Sequence, residues 1–264
     1  MSITGGSFRT RVATLLIATF SLGIDPVRAE NASSVCDRLA ASSFDASRPA
    51  GLAGVEQDQI DVTLAMPACT EAYAGGTPAP RIIFQLGRVY QKTGDAAKAK
   101  AVYHQASNAG HAVAMVNLGA MIEEDEPEQS RGWYGKAAEL GNVLGQYNLA
   151  VAYANGIGGP VDVGKAIEFY RKAMEQGDSV AAYNLAVLYD EGKLVDRDMA
   201  QAIKFYEVAV KGGNIDAMVN LAITLEKGDG VTVDKAAALA LFERAAALGD
   251  LEAVEQAARL RKAN

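Results

Sequence analysis

Apolar residues along most of this chain recur three and four positions apart, which is the period of a helix with one buried face. Ala181, Asn184, Leu185, Leu188 and Tyr189 share such a face, and so do Ala166, Phe169, Tyr170, Ala173 and Met174 in the run before it. Polar, glycine-bearing turns separate the runs. The pattern predicts helices joined in pairs, and it returns at a fixed shift when the chain is laid against itself.

That shift is 36 residues: Tyr147-Asn148-Leu149-Ala150, Tyr183-Asn184-Leu185-Ala186 and Val219-Asn220-Leu221-Ala222 align, as do Tyr170, Tyr206 and Phe242. Two looser copies precede them, one over 114–141 with Asn117-Leu118-Gly119 and Trp133-Tyr134, and a shorter one over 81–110. Asp162, Asp198 and Asp234 fall just before the second helix of each strict copy, where a carboxylate accepts from unpaired first-turn amides. Gly177, Gly213 and Gly249 fall where those helices should stop, because glycine tolerates the left-handed turn there. Ala150, Ala186 and Ala222 are small enough for helices to approach closely. Trp133, Phe169, Phe205 and Leu241 recur at one place in the second helix and are expected in the core. One unit cannot bury its apolar face alone, so the units must stack.

In these residues the chain resembles the Sel1-like repeat family, a relative of the tetratricopeptide repeats. The pattern A-x-x-N-L-G/A-x-x-Y, G-x-G-V-x-x-D, A-x-x-W/F-Y-x-x-A-A-x-x-G covers about 111–249. The segment 122–132 lacks the G-x-G-V part, Leu194 replaces its second glycine in the next-to-last unit, and 81–110 is closer to a plain tetratricopeptide repeat. The resemblance implies an all-α fold, a right-handed superhelical solenoid of stacked antiparallel helix pairs. It also implies a concave groove, lined by the first helices, that holds an extended peptide or a partner domain.

The ends read differently. Arg9 and Arg11 followed by an apolar run from Val12 to Ile24 and the small-residue ending Val27-Arg28-Ala29 predict a signal peptide at 1–29. The run is shorter than the ~20 residues of a spanning helix, so no membrane insertion is expected after cleavage, and a periplasmic or secreted location follows. Residues 30–79 are expected to be a leader and capping half-repeat: 31–54 shows no period, and 57–73 reads as a lone helix interrupted by Pro67. The repeats occupy 80–249. Over 250–264 a capping helix is expected, with Leu251, Val254, Ala257 and Leu260 as its apolar stripe and Glu252, Glu255, Arg259 and Lys262 opposite.

Cys36 and Cys69, in an exported chain, are expected to form a disulfide that staples the leader to the half-repeat. The formal net charge of −7 becomes two units more acidic once Arg9, Arg11, Arg28 and Asp25 leave with the signal, and no basic stripe remains for nucleic acid. Chemistry is sparse. His104 and His111 are the only histidines, and neither has catalytic or metal-ligand spacing. Gly156-Ile157-Gly158-Gly159-Pro160 lies between two helices and has no phosphate-loop lysine, so it is a turn. The acidic run from Glu123 to Glu128 lacks calcium-loop spacing. No enzyme activity, cofactor or metal is expected.

A protein-binding groove remains. The Asn ladder of Asn117, Asn148, Asn184 and Asn220, with Gln85 at the matching place, can pair with both N–H and C=O of a bound backbone. The same amides could instead bond neighbouring helices. Tyr147 and Tyr183 can anchor a partner or pack inside. Asp190, Glu191 and Glu226 would make the far end acidic and favour Lys- or Arg-bearing partners. The expected function is a periplasmic or secreted interaction scaffold. The alternatives are an inhibitor of an envelope sensor kinase, released by cleavage of a flexible 31–54 leader, and a hydrolytic enzyme.

Overall fold

The computed structural model describes residues 31–263. The segment 1–29, read above as a signal peptide, lies outside them. Ten helices form five consecutive antiparallel pairs: α3 (Pro80–Thr93) with α4 (Ala96–Asn108), α5 (Ala112–Ile122) with α6 (Pro127–Glu139), α7 (Val143–Asn155) with α8 (Val163–Glu175), α9 (Ser179–Glu191) with α10 (Met199–Lys211), and α11 (Ile215–Lys227) with α12 (Lys235–Ala247). Ahead of them lie α1 (Ala32–Ala40) and α2 (Val62–Ala74), and after them α13 (Leu251–Ala263). Each helix packs on its sequence neighbours, and the result is an α-solenoid.

The caps explain the regular lengths. Asp162, Asp198 and Asp234 accept from the amides of Lys165, Gln201 and Ala237 at 3.0, 3.0 and 2.9 Å. A second cap series opens the first helices: Asn142, Asp178, Asn214 and Asp250 accept from Gly145, Ala181, Ala217 and Ala253 at 2.7 to 3.0 Å. Gly177 follows α8 at φ +94°, the left-handed turn expected there.

Two details of the core differ from the sequence pattern. The deepest aromatic is one position later than expected: Tyr134, Tyr170, Tyr206 and Phe242 are buried, whereas Trp133, Phe169 and Leu241 are half-buried and only Phe205 of that series is fully covered. The later ring lies over a small residue of its own repeat's first helix. A Cβ on Gly119 would come within 2.7 Å of Tyr134. The outer series stacks on first-helix tyrosines, Tyr153 on Phe169 and Tyr189 on Phe205. On α13 the buried residues are Ala253, Ala257 and Leu260, while Leu251 is 81% and Val254 48% exposed, so the expected stripe is turned by about one position.

Residues 31–79 are built into the solenoid's end. The aperiodic leader contains α1, which packs on α2 and α3; 57–59 is a separate 3₁₀ turn, and α2 runs straight through Pro67. Cys36 and Cys69 are joined as a disulfide. Arg88, 4% exposed, donates to the carbonyls of Ala40 and Val55 at 2.8 and 2.6 Å and to Gln57 Oε1 at 3.1 Å. It ties both ends of the 41–56 loop to α3. Burial pushes its guanidinium below the usual arginine value, and the buried carbonyls it meets depend on it for their hydrogen bonds.

Candidate concave groove

Residues of α9 and α11, with Tyr206 of α10 and Asp229, line a hollow of about 310 Å³. Its wall includes Tyr183, Val187, Asp190, Asn220, Ile223 and Lys227. One hydrogen-bond pattern repeats along this face. Asn184 Nδ2 donates to the hydroxyls of Tyr147 and Tyr170, both at 3.4 Å. Asn220 Nδ2 donates in the same way to Tyr183 and Tyr206, at 3.4 and 3.3 Å. The amide of each repeat therefore clasps the tyrosine pair of the repeat before it. Among the described residues the Oδ1 atoms of these two asparagines meet no donor, and Asn220 lines the hollow.

The ladder is less regular toward the N-terminus. The Tyr103 hydroxyl at the Asn117 junction donates to Gln91 Oε1 at 2.7 Å, and burial pushes its pKa up to about 12. Asn148 occupies the same register, but Tyr134 donates instead to Glu123, at 3.0 Å. Gln85 does not belong to the groove. It is 0% exposed, its Nε2 donates to Asp37 Oδ1 at 2.8 Å, and its Oε1 lies 3.1 Å from Cys36 Sγ. Arg81 closes the cluster with two bonds to the same Asp37 carboxylate, at 3.0 and 3.2 Å. The α1 helix, which the periodic pattern does not show, covers this position.

The far end of the groove is not an open acidic patch. Asp190 accepts from the Tyr206 hydroxyl at 2.9 Å and pairs with Arg197 at 3.5 Å, and Arg197 also bonds Asp229 at 2.6 Å. Glu226 takes both arms of Arg259, at 2.8 and 2.6 Å, and Glu191 pairs with Lys193 at 3.2 Å. The Arg259 bonds hold the Glu226 carboxyl below the usual range, and those from Arg197 do the same for Asp229. The expected preference for cationic partners loses its basis, because the carboxylates already have cations of the same chain. Burial, and then Asp190, push the Tyr206 hydroxyl pKa up, so it stays a neutral donor.

One cluster brings together residue types of nucleophilic catalysis. Asp45, Ser47 and His111 meet beneath the leader: His111 Nε2 is 3.2 Å from Asp45 Oδ2 and 3.3 Å from Ser47 Oγ. The tautomer decides its role. The Ala114 amide donates to His111 Nδ1 at 3.2 Å, so Nδ1 is the acceptor and the ring proton sits on Nε2, donating to Asp45. Ser47 Oγ donates to Asp45 Oδ1 at 2.6 Å and faces an Nε2 with no lone pair to take its proton. The cluster caps α5 and staples the leader. Burial works against the Asp45 carboxylate, but its bonds to His111 and Ser47 outweigh that and hold its pKa below the ordinary value. A depressed folded-state pKa contributes stability above the unfolded value and loses it as pH falls. Urea stability is therefore expected to drop between about pH 5 and 3 in the parent, and to change less over that range in Asp45→Asn. Identical pH curves for the two proteins would refute the staple.

His104 is exposed and lies beside Asn108 and Trp133. In the acidic run, Glu126 pairs with Lys100 at 2.9 Å, and among the described residues no group of three or more His, Cys, Asp or Glu is placed to hold a metal.

A sequence model of the Sel1 repeat matches residues 112–142, 143–178, 179–214 and 215–250. The chain belongs to the Sel1 repeat family. The matches run through the helix pairs from α5/α6 to α11/α12; α3/α4 has the same architecture and lies outside them. Two solved structures resemble these Sel1 repeats. A Sel1 repeat protein from Oxalobacter formigenes is 26% identical with a TM-score of 0.67, over 74% of this chain and 82% of that one. A protective antigen of uropathogenic Escherichia coli strains, described as displaying an SLR fold, is 25% identical with a TM-score of 0.64, over 75% of this chain and 44% of that one. An F-box protein of Arabidopsis thaliana is 36% identical over 73 residues, 26% of this chain and 21% of that protein. The chain thus spans about a fifth of that curated relative and under half of the antigen. Sel1 repeat proteins generally serve in protein–protein interaction, as scaffolds without catalysis of their own. Among the described residues no helix is long and apolar enough to cross a membrane, and a disulfide suits an oxidising compartment.

Proposed function

We propose that this Sel1 repeat protein is a periplasmic or secreted adaptor, and that it holds a partner protein in the concave groove, either as an extended peptide or as a docked domain. The hollow between α9 and α11 carries the reading. It combines half-exposed apolar walls at Val187 and Ile223 with tyrosine hydroxyls and the open Oδ1 of Asn220. Its carboxylates at Asp190, Glu191 and Asp229 are already paired within the chain. Such a surface suits an uncharged backbone with apolar side chains better than a Lys- or Arg-rich one. The location rests on the leader pattern at 1–29 and on the Cys36–Cys69 bridge. The reading as an inhibitor released by cleavage of a flexible leader has less support, since Arg88, the disulfide and His111 hold that segment down.

The test is capture from an envelope extract by the parent chain and by a variant carrying Val187→Glu and Ile223→Glu, which leaves the asparagine clasps in place. Capture of a given protein is expected to fall at least about tenfold in the variant while helicity by circular dichroism is unchanged. Equal capture by both would sink the groove as the site.

A further inference from the structure

Helix α13 continues the register of the first helices, and among the described residues no second helix lies over it. At one column of that register stand Gln146, Ala182, Met218 and Val254; four residues further on stand Ala150, Ala186, Ala222 and Ala258. In α7, α9 and α11 both columns are buried. On α13 they are open. Val254 is 48% exposed, Ala258 is exposed, and Leu251 one turn earlier is 81% exposed.

We propose that a second copy of this chain covers this face, with two α13 helices crossing antiparallel near Ala258 in a two-fold dimer. Alanine at the crossing point lets the backbones approach, and Val254 and Leu251 of each copy then cover apolar surface that every preceding repeat buries. The charges select the partner and its direction. Arg259 is engaged by Glu226, and Arg261 by Glu243 at 2.7 Å. Among the described residues of α13, Glu252, Glu255 and Lys262 have no ion-pair partner, and of these Glu255 and Lys262 lie nearest Ala258. Glu255 and Lys262 flank the open columns on the same side, the acid toward the N-terminal half of the helix and the base toward the C-terminal half. Antiparallel packing brings Glu255 of one copy beside Lys262 of the other, and two-fold symmetry makes the pair twice. Parallel packing would set like charges together. The face is therefore complementary to itself.

Sedimentation velocity of the purified chain over a concentration series tests this. The parent is expected to be a reversible dimer. Val254→Arg, an exposed site that the fold tolerates, is expected to raise the dissociation constant at least about tenfold by placing a charge at the seam. Glu255→Lys should weaken the dimer because it sets Lys beside Lys, and adding Lys262→Glu to the same chain should restore it. A parent that stays monomeric up to about 100 µM overturns the proposal. So does a dimer indifferent to Val254→Arg, or a charge-reversed double variant that remains as weak as Glu255→Lys.

Discussion

Cys36→Ala together with Cys69→Ala is expected to lower the stability of the N-terminal end by about 3–4 kcal/mol, the loop-closure effect of a bridge between residues 33 apart. The loss should be local. A solenoid is stabilised by contacts between neighbouring elements, so α9 to α12, which share no interface with α1 or α2, keep theirs. Urea unfolding followed by amide exchange should show α1, α2 and the 41–56 loop opening well before the last two repeats in the variant, and much closer together in the parent. A uniform loss along the chain would contradict a nearest-neighbour solenoid. A loss below about 1 kcal/mol would mean that packing of α1 on α3, not the bridge, holds the cap.

Arg88→Met is expected to cost about 3 kcal/mol, although the substitution is apolar and enters a buried site. Methionine fills much of the volume of the arginine stem but leaves the carbonyls of buried Ala40 and half-buried Val55 without these donors, and an orphaned buried acceptor costs more than the bond it lost was worth. Arg88→Lys should recover only part of the loss. An ammonium keeps the charge but cannot span acceptors spread around a planar fork. Thermal unfolding gives the magnitude, and exchange rates at 41–56 give the location. Full stability in Arg88→Met would show that the loop is held by Asp45 and His111 alone.

The parts of this molecule that repeat were legible, and the parts that occur once were not. Caps such as Asp162 lie within three residues of the amides they serve, so local spacing revealed them. The companion series Asn142, Asp178, Asn214 and Asp250 carries the same signal, one residue after each glycine, and the periodic apolar pattern drew attention away from it. The α1 helix has no second copy to align with, and its buried contacts lie far along the chain: Asp37 meets Gln85 48 residues on, and Asp45 meets His111 66 residues on. Composition alone made the far end of the groove acidic because it counted Asp190 and Glu226 without their partners. Those partners were within reach of the same repeat logic. Arg197–Asp229 and Glu226–Arg259 are separated by 32 and 33 residues, close to one repeat.

The asparagine clasp also bears on how such a chain can lengthen. Donor and acceptors of each junction sit on different repeats, yet the strict units 143–178 and 179–214 each carry an asparagine and a tyrosine pair, whereas the last unit has Val219 and Phe242 in place of the tyrosines. Tandem duplication of a unit such as 179–214, which has Tyr183, Tyr206 and Asn184, therefore creates a new junction already furnished with its hydrogen bonds and leaves the older junctions as they were, whereas an insertion of any other length separates the amide from its hydroxyls. Growth by whole multiples of the unit is the change this architecture absorbs without a new core having to evolve.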